Sequence, residues 1–512
     1  MPSDRYPSTM NVTSSALALF ALLPPGALAQ DPAPLEPAGM PLSLQDVVGL
    51  ALDNNIGLRI DANAEEVQYY THLGSWGSFD PLLSITGSYT DSQQPATTSL
   101  AGASVVESDT LGLNAQLQVP FRSGGRFDMG YDHSNTATNS TFSIDDTITN
   151  SSISLSYTQP LLRGAWSGYN TVEQQKAELR WRQAQARHRE LRINLIRDVS
   201  QSYWDLVATR EALAVQTETV ALGEKQLAQN ERRLEVGVGT EVEVLQAETN
   251  VATQMEVLLR SQTSVRAADD ALKALIFARA EGDDWQAWFD WWDEPILPTT
   301  PLPEADLEAL SMLDWASSLG TALSKRPELE QRRLDIEISE LDLLKADSEE
   351  GPGLDATLGL SSTGADGQSS EAVQTAAGFD FPTASASLTY SAPLWNRAAE
   401  NALAAARLGL RSSRLVYEQS ETGILTEVRA AVRDSLYQAE AVKAAGTSYD
   451  LAQRQLDAEE ARFEQGLSTN FQVLEYQQQL SQAKANLVAA RVAYAKARTA
   501  LARAEGRLED TL

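Results

Sequence analysis

The sequence predicts an α+β membrane protein in which one unit of short strands and very long helices is repeated twice. Three observations predict this fold class. The amino terminus has the layout of an export signal, two distant segments repeat the same turn motif, and short strands alternate apolar with polar side chains.

The composition excludes several classes of protein. The 512 residues carry 40 basic and 70 acidic side chains, for a net charge of -30, which is too acidic for a nucleic-acid partner. No cysteine is present, so disulfides, thiolate zinc sites, cysteine nucleophiles and a lipid-modified amino-terminal cysteine are excluded. The three histidines, His72, His133 and His188, are too far apart for a His-pair metal motif. We therefore expect no metal and no cofactor.

Residues 1–29 form the predicted signal peptide. Arg5 precedes an apolar run from Ala16 to Leu23, and small residues at Ala27 and Ala29 provide a cleavage site. The alternative for this segment is a disordered tail. No later stretch contains about 18 uninterrupted apolar residues, so the sequence predicts no transmembrane helix after the signal.

The remaining chain is predicted to consist of two structural repeats. Arg233 and Arg462 begin two segments that align without gaps, and Glu, Gly, Thr, Val and Leu recur at the same steps in both. We assign residues 30–280 to the first repeat and 305–512 to the second, with a Trp-rich acidic connection at 281–304. Each repeat is predicted to contain helix, strand, strand, helix and helix.

Each repeat ends in a long antiparallel helical hairpin, predicted over 170–278 and 396–508. Both hairpins begin with a proline-free run of strong helix formers. Apolar and small residues then recur at steps of four and three, which predicts a coiled-coil seam. We expect a left-handed glycine to end the first helix of each hairpin, and Thr240 and Thr469 to cap the second.

Four strands are predicted from period-two alternation, at about 82–91, 151–161, 354–361 and 383–391. A soluble half-buried sheet gives the same alternation, but segments of this length with one polar face are also typical of a membrane barrel wall. Four strands cannot close a barrel, so closure needs several chains, and three copies would supply about twelve strands. A further hairpin at about 111–131 either extends an extracellular loop or widens the barrel.

These residues resemble the TolC-like outer membrane efflux proteins. The resemblance covers residues 42 to 508 and rests on the duplicated plan, the exits from strand to helix at Pro160-Leu161 and Pro393-Leu394, and the doubled Gly-x-x-Thr turn. It implies a homotrimer whose outer-membrane β-barrel continues into a periplasmic α-helical coiled-coil barrel. It further implies contact with outer-membrane lipid, and docking to a periplasmic adaptor protein and an inner-membrane pump.

The resemblance also implies functional residues. The periplasmic gate would lie at Glu475 and Gln472, of which only Glu475 has a carboxylate. An aromatic to arginine tether found in some members would fall on Phe463 and Ser468, where the polar bond cannot form. The alternative is that Glu475 is an ordinary solvated helix residue. The adaptor-docking tips would be the two turns, with residues Val236, Gly237, Thr240, Gly466, Leu467 and Thr469.

The predicted function is therefore a passive outer-membrane duct of a tripartite efflux or type I secretion system. The alternative is a structural coiled-coil spacer or adhesin of the cell envelope, although a spacer would not need the strand pairs twice. No nucleophile, base and orienting group can be assembled, so we predict no enzyme activity. The tryptophans at 285, 288, 291 and 292 are expected to pack the connection against the outside of the helices.

Overall fold

The computed structural model describes residues 39–96, 102–141, 145–276, 285–305 and 314–510. The predicted signal peptide lies outside these residues. Within them, no helix is both long and apolar enough to cross a membrane.

Six antiparallel strands form the main sheet, in the spatial order β2-β3-β4-β5-β7-β8. Each strand of this sheet pairs with the sheet strand that comes before it in the chain, so the chain runs up and down without a crossover. A second, two-stranded parallel sheet pairs β1 with β6. The strands are β1 Met40–Leu42, β2 Leu82–Pro95, β3 Val105–Pro120, β4 Arg126–Thr138, β5 Thr147–Pro160, β6 Ile296–Pro298, β7 Gly353–Asp366 and β8 Pro382–Ser391.

The main sheet therefore has six strands. Clear alternation in the sequence predicted four of them, and it did not decide whether the hairpin at about 111–131 belongs to the sheet. That hairpin is β3 and β4, which together extend beyond its predicted span at both ends. Their outer ends, such as Ser108 to Thr110 and Ser134 to Thr136, carry no apolar alternation. Backbone pairing alone defines these ends, and the side-chain pattern does not report it.

The helices account for most of the chain. The helix Val172–Glu235 has 64 residues and the helix Arg397–Glu464 has 68, so each is about 100 Å long. The helices are α1 Leu44–Asn54, α2 Ile56–Ser75, α3 Ser167–Asn170, α4 Val172–Glu235, α5 Glu241–Ile276, α6 Trp285–Asp293, α7 Trp315–Lys325, α8 Pro327–Glu350, α9 Ser369–Gly378, α10 Arg397–Glu464 and α11 Asn470–Ala504. We call α4 with α5 the first hairpin, and α10 with α11 the second hairpin.

The long helices form one layer with a defined order. Near the two turns, the order is α5, α4, α11 and α10. Nearer the sheet, α2 and α8 lie on either side of α4, and α8 also packs against α10. The largest apolar cluster sits midway along α4, where α1, β6 and the ends of α5 and α11 meet it. Tyr203 and Leu206 of α4 are fully buried in this cluster.

The Trp-rich connection is attached to the end of α5. The ammonium of Lys273 lies 2.6 Å from the Asp269 carboxylate and donates to the Trp292 carbonyl at 2.7 Å. Asp269 also accepts from the backbone N–H of Ile296 at 2.9 Å. Removing either partner would leave an uncompensated buried charge, so both side chains are needed to hold the connection on α5. Trp291 packs against the main apolar cluster, as predicted, whereas Trp285 at the start of α6 is 45% exposed.

Candidate functional site

The main sheet has one apolar and one polar face. The register places Leu83, Leu117, Met129, Leu155, Leu360 and Ala384 in one row across all six strands. The adjacent row on the opposite face contains Ser84, Gln116, Gly130, Ser154, Ser361 and Thr383. Helix α9 covers the outer ends of β5 and β7 on this apolar face, where Thr149 and Ser151 are buried. The exposed apolar row nearer the helices fits contact with lipid, and the polar face fits contact with water.

Both edges of the sheet lack a partner within the described chain. Strand β2 pairs only with β3, and β8 pairs only with β7. Every side chain of β8 is exposed, and in β2 only Ser92 is partly covered. The outer N–H and C=O groups of these strands therefore remain available for pairing with another chain.

The helical layer also has two open edges. They are α5 and α10 near the turns, and α2 and α10 near the sheet. All three helices carry large apolar side chains that are exposed in the single chain. On α2 they include Ile60, Val67 and Tyr70; on α5 they include Val242, Leu245 and Leu259; on α10 they include Leu408, Leu415 and Tyr437.

A series of polar contacts joins the two hairpins along α4 and α11. Lys484 pairs with Glu218, and the hydroxyls of Thr219 and Ser481 lie 2.8 Å apart. Nearer the turns, the Gln226 side-chain amide donates to the Asn470 side-chain carbonyl at 2.8 Å, and both side chains are buried. These contacts fix the position of the second hairpin against the first.

The two turns at the tips have the same backbone structure. Gly237 has φ of 78° and Gly466 has φ of 72°, which confirms the predicted left-handed glycines. In the first turn Val238 donates to the Arg233 carbonyl, and in the second Leu467 donates to the Arg462 carbonyl, each at 2.9 Å. These are equivalent positions of the repeat. The repeated sequence therefore produces the same helix ending twice.

Both returning helices are capped as predicted. The Thr240 hydroxyl accepts from the Glu243 N–H at 3.3 Å, while the Glu243 carboxylate accepts from the Thr240 N–H at 2.8 Å. In the second turn, Thr469 and Gln472 form the corresponding capping box. Around the caps, Val236, Val238 and Leu467 are largely exposed, and Phe471 on the first turn of α11 is exposed too. The tips therefore present apolar side chains to their surroundings.

Gln472 and Glu475 have different surroundings. The Gln472 side chain is engaged in the cap, with its carbonyl 3.0 Å from the Ser468 hydroxyl. The Thr-x-x-Gln spacing was the signal for this role, and the sequence reasoning missed it. Glu475 faces an open groove of about 500 Å³ between α5 and α11 and accepts from Gln479 at 3.4 Å. The groove is lined by Leu245, Gln246, Thr249, Asn250, Phe471, Leu474, Glu475 and Gln478.

Phe463 and Ser468, the positions of the expected tether, contact other residues in this chain. Phe463 is buried, and the Arg233 guanidinium of the first hairpin lies 4.6 Å above its ring. The Ser468 hydroxyl donates to the buried carboxylate of Glu459. The sequence reasoning did not identify Arg233, because its partner lies 230 residues away in the chain.

The end of α11 away from the turns is fixed by a charged network. Arg326 donates to Glu328 at 2.7 Å and also pairs with Glu427, which Arg503 of α11 contacts in turn. Burial raises the pKa of the Glu328 carboxyl, but hydrogen bonding to Arg326 and its positive charge outweigh burial and hold that pKa below its usual value. The described residues contain no group of His, Asp or Glu side chains suited to hold a metal ion.

Comparison with known proteins identifies the family. The model of the outer membrane efflux protein family matches residues 126–276 and 319–507, which together cover well over half of the chain. The chain belongs to the outer membrane efflux protein family. It is therefore an outer-membrane efflux channel that extends into the periplasm, and it is a transport duct, not an enzyme. A sequence search of curated proteins gave no significant match.

Solved structures of outer-membrane channels share the fold of this member of the outer membrane efflux protein family. The Campylobacter jejuni CmeC outer membrane channel is 16% identical, with a TM-score of 0.65 over 91% of this chain and 86% of that chain. VceC from Vibrio cholerae is 16% identical, with a TM-score of 0.63 over 90% and 96%. The Neisseria gonorrhoeae MtrE outer membrane channel is 15% identical, with a TM-score of 0.61 over 91% and 89%. At this identity the likeness is one of fold.

Proposed function

We propose that three copies of this chain form a passive exit duct that docks to a periplasmic adaptor and an inner-membrane pump. The proposal rests on one observation: the main sheet has two open edges, and the helical layer has two open edges as well. In lipid, the unpaired backbone groups of β2 and β8 must find partners, and a second copy offers the complementary edge. The exposed apolar side chains of α2, α5 and α10 are then covered by the same contact.

The apolar face of the sheet argues for a duct over a coiled-coil spacer or adhesin. A spacer needs the two hairpins, but it has no use for an exposed apolar face over six strands. The polar face of the same strands carries mainly Ser, Thr, Gly, Asn and Gln. In a closed barrel this face surrounds a water-filled lumen, through which solutes leave without chemistry.

The two turns are proposed as the adaptor-docking tips. Their exposed residues Val236 and Leu467 stand at the end of the hairpins farthest from the sheet, where the chain extends deepest into the periplasm. Replacing Gly237 and Gly466 together by Val removes the left-handed ending, because a β-branched residue does not adopt this φ. We expect the double variant to lose adaptor crosslinking and to keep its oligomers in the membrane.

Gly423 provides the control for that experiment. It lies inside α10, and Gly320 of α7 is a second control away from the open edges. Both have open space where a Cβ would be, so Gly320→Val and Gly423→Val leave the tip intact, and Gly320→Val also leaves the contact between copies intact. Adaptor crosslinking should then be unchanged. If the double turn variant also crosslinks normally, docking occurs elsewhere on the duct.

Glu475 is proposed as a carboxylate ring at the periplasmic entrance. Three like charges brought close together attract cations, as charged rings do in other pores. We expect cation selectivity and block by multivalent cations in planar bilayers, and Glu475→Gln should weaken both. Since Gln472 supplies no charge and serves the cap, one ring must account for the whole effect.

Glu464→Gln makes the same change of charge outside the groove. Glu464 is the exposed last residue of α10, so its substitution should alter selectivity little. If both variants behave alike, Glu475 is an ordinary surface residue and the entrance lies elsewhere.

A further inference from the structure

We propose that the β3–β4 hairpin is part of the barrel wall, so that three copies close a barrel of roughly eighteen strands with a wide exit. The proposal rests on the trimeric duct described above. A wide exit would admit bulky hydrated solutes as cargo. The alternative is that the hairpin stands outside the wall as an extension of an extracellular loop.

Backbone pairing integrates the hairpin on both sides. The register of β3 with β2 runs without a break from Val105 to Gln118, which uses the whole of β2. On its other side, β4 pairs with β5 from Arg126 to Ala137. A loop extension would pair with itself and leave β2 next to β5. Here those two strands are separated by the width of the hairpin.

The turn of the hairpin lies at the junction between strands and helices. The Gln159 side chain donates to the Ser123 carbonyl at 3.0 Å, and the Arg122 guanidinium lies 4.3 Å above the ring of Trp76. Gly124 has φ of 82°, and a Cβ on it would lie 2.2 Å from the Gly164 carbonyl oxygen. This end of the hairpin is therefore level with the start of β2 and the end of β5, at the periplasmic side of the sheet.

The side chains of the hairpin continue both faces of the sheet. Leu117 and Met129 lie in the same apolar row as Leu83 and Leu155. On the polar face, Gln118 donates to Asp128 at 3.2 Å, and Asn114 donates to Asp132. A hairpin surrounded by water would gain nothing from an apolar face that is level with the lipid-facing row of the other strands. The pattern is that of a wall between lipid and water.

The number of strands determines the width of the exit. Barrel diameter grows roughly in proportion to strand number, and closed barrels of 16 to 18 strands leave an aqueous channel. Two extra strands in each copy make the barrel about half as wide again as one built from four strands per chain. The hairpin contributes Asn114, Gln116, Gln118, Asp128 and Asp132 to the lumen, which suits a polar and hydrated cargo.

Thiol labelling tests the position of the hairpin, and the chain has no native cysteine to interfere. Leu113→Cys places a thiol on the apolar face of β3 and Gln116→Cys places one on its polar face, with both native side chains exposed in the single chain. Ile85→Cys and Thr86→Cys are the matched pair on β2. The probe is a charged maleimide applied to the protein in outer-membrane vesicles.

We expect Gln116→Cys and Thr86→Cys to react, and Leu113→Cys and Ile85→Cys to react at least tenfold more slowly until detergent removes the lipid. If Leu113→Cys reacts as fast as Gln116→Cys while Ile85→Cys stays protected, the hairpin lies outside the wall and the inference is wrong, although the duct stands. If Ile85→Cys reacts as well, the sheet does not contact lipid, and the proposed function fails with it.

Polymer exclusion measures the width directly. Deleting residues 105–138 leaves β2 and β5 antiparallel, with Leu83 and Leu155 still in one row, so a narrower barrel can form. Graded polyethylene glycols added on the extracellular side of a planar bilayer enter the barrel without passing the periplasmic tip. The largest polymer radius admitted should fall by about a third in the deletion variant. An unchanged radius in deletion channels that conduct contradicts the eighteen-strand barrel.

Discussion

The first and second helical hairpins share a sequence pattern and a turn, yet they occupy different environments. Helix α11 packs between α10 and α4 and buries eleven residues, among them Val473, Leu480 and Tyr494. Helix α5 packs against α4 near the turns and buries only five, four of which lie in its last eight residues. The same unit is thus an interior element in one repeat and an edge in the other. The difference shows which edge of the helical layer stays uncovered in the single chain.

Equivalent positions make the contrast specific. Phe463 is 7% exposed and lies under Arg233, whereas its counterpart Leu234 is 40% exposed. Asn470 is buried, whereas its counterpart Glu241 is exposed. Duplication preserved the fold of each hairpin, and the neighbours of each helix then decided which side chains became buried.

The largest expected effect is at the first of these paired positions. Phe463→Ala removes a buried ring from the tip cluster and should cost about 3–5 kcal/mol of local stability. Leu234→Ala should cost much less, because its side chain is already partly in water. Hydrogen exchange of the amides around each turn measures both. Equal losses of protection would show that the two hairpins are equivalent at their tips.

A smaller effect is expected at the buried amide pair. Asn470→Ala removes the acceptor that lies 2.8 Å from the Gln226 amide and leaves that amide only its longer contact with Asn230, so it should cost about 1–3 kcal/mol. Replacing Gln226 and Asn470 together by Leu should recover part of the loss, because neither member of the pair then remains unpaired and only the longer contact to Asn230 is lost. Exchange protection of α11 reports the change. A double variant less protected than Asn470→Ala would contradict this account.

The smallest expected effect is at the two threonine caps, where the two hairpins should behave alike. Thr240→Ala and Thr469→Ala each remove a side-chain cap and should each cost about 1 kcal/mol. The caps have the same geometry although their helices have different neighbours. Exchange rates in the first turn of α5 and of α11 measure the two losses. A cost confined to one hairpin would mean that tertiary contacts, and not the cap, hold that helix start.

The sequence was informative where local chemistry determines structure. Both turns, both caps and both long helices follow from glycine, threonine and the absence of proline, which act within a few residues. The central parts of the strands follow from alternation in the same way. These features need no knowledge of distant neighbours.

The remaining features depend on contacts between distant segments. The number of strands in the sheet, the burial of Phe463 under Arg233, and the groove that joins Leu245 to Glu475 all follow from tertiary packing. Alternation shows that a strand has two faces, but it does not name the strand beside it. For the same reason, the seam of α5 and that of α11 looked equivalent in sequence, although only α11 has a neighbour on both sides.

The central claim is that the open edges of one chain are closed by two further copies. Native mass spectrometry of the detergent-solubilised protein tests it most directly. The account predicts one species with three times the mass of the mature chain and no folded monomer, because the outer sides of β2, β8, α5 and α10 are left uncovered in the described chain. A stable monomer that keeps its sheet and its long helices would contradict the closure of the duct by several chains.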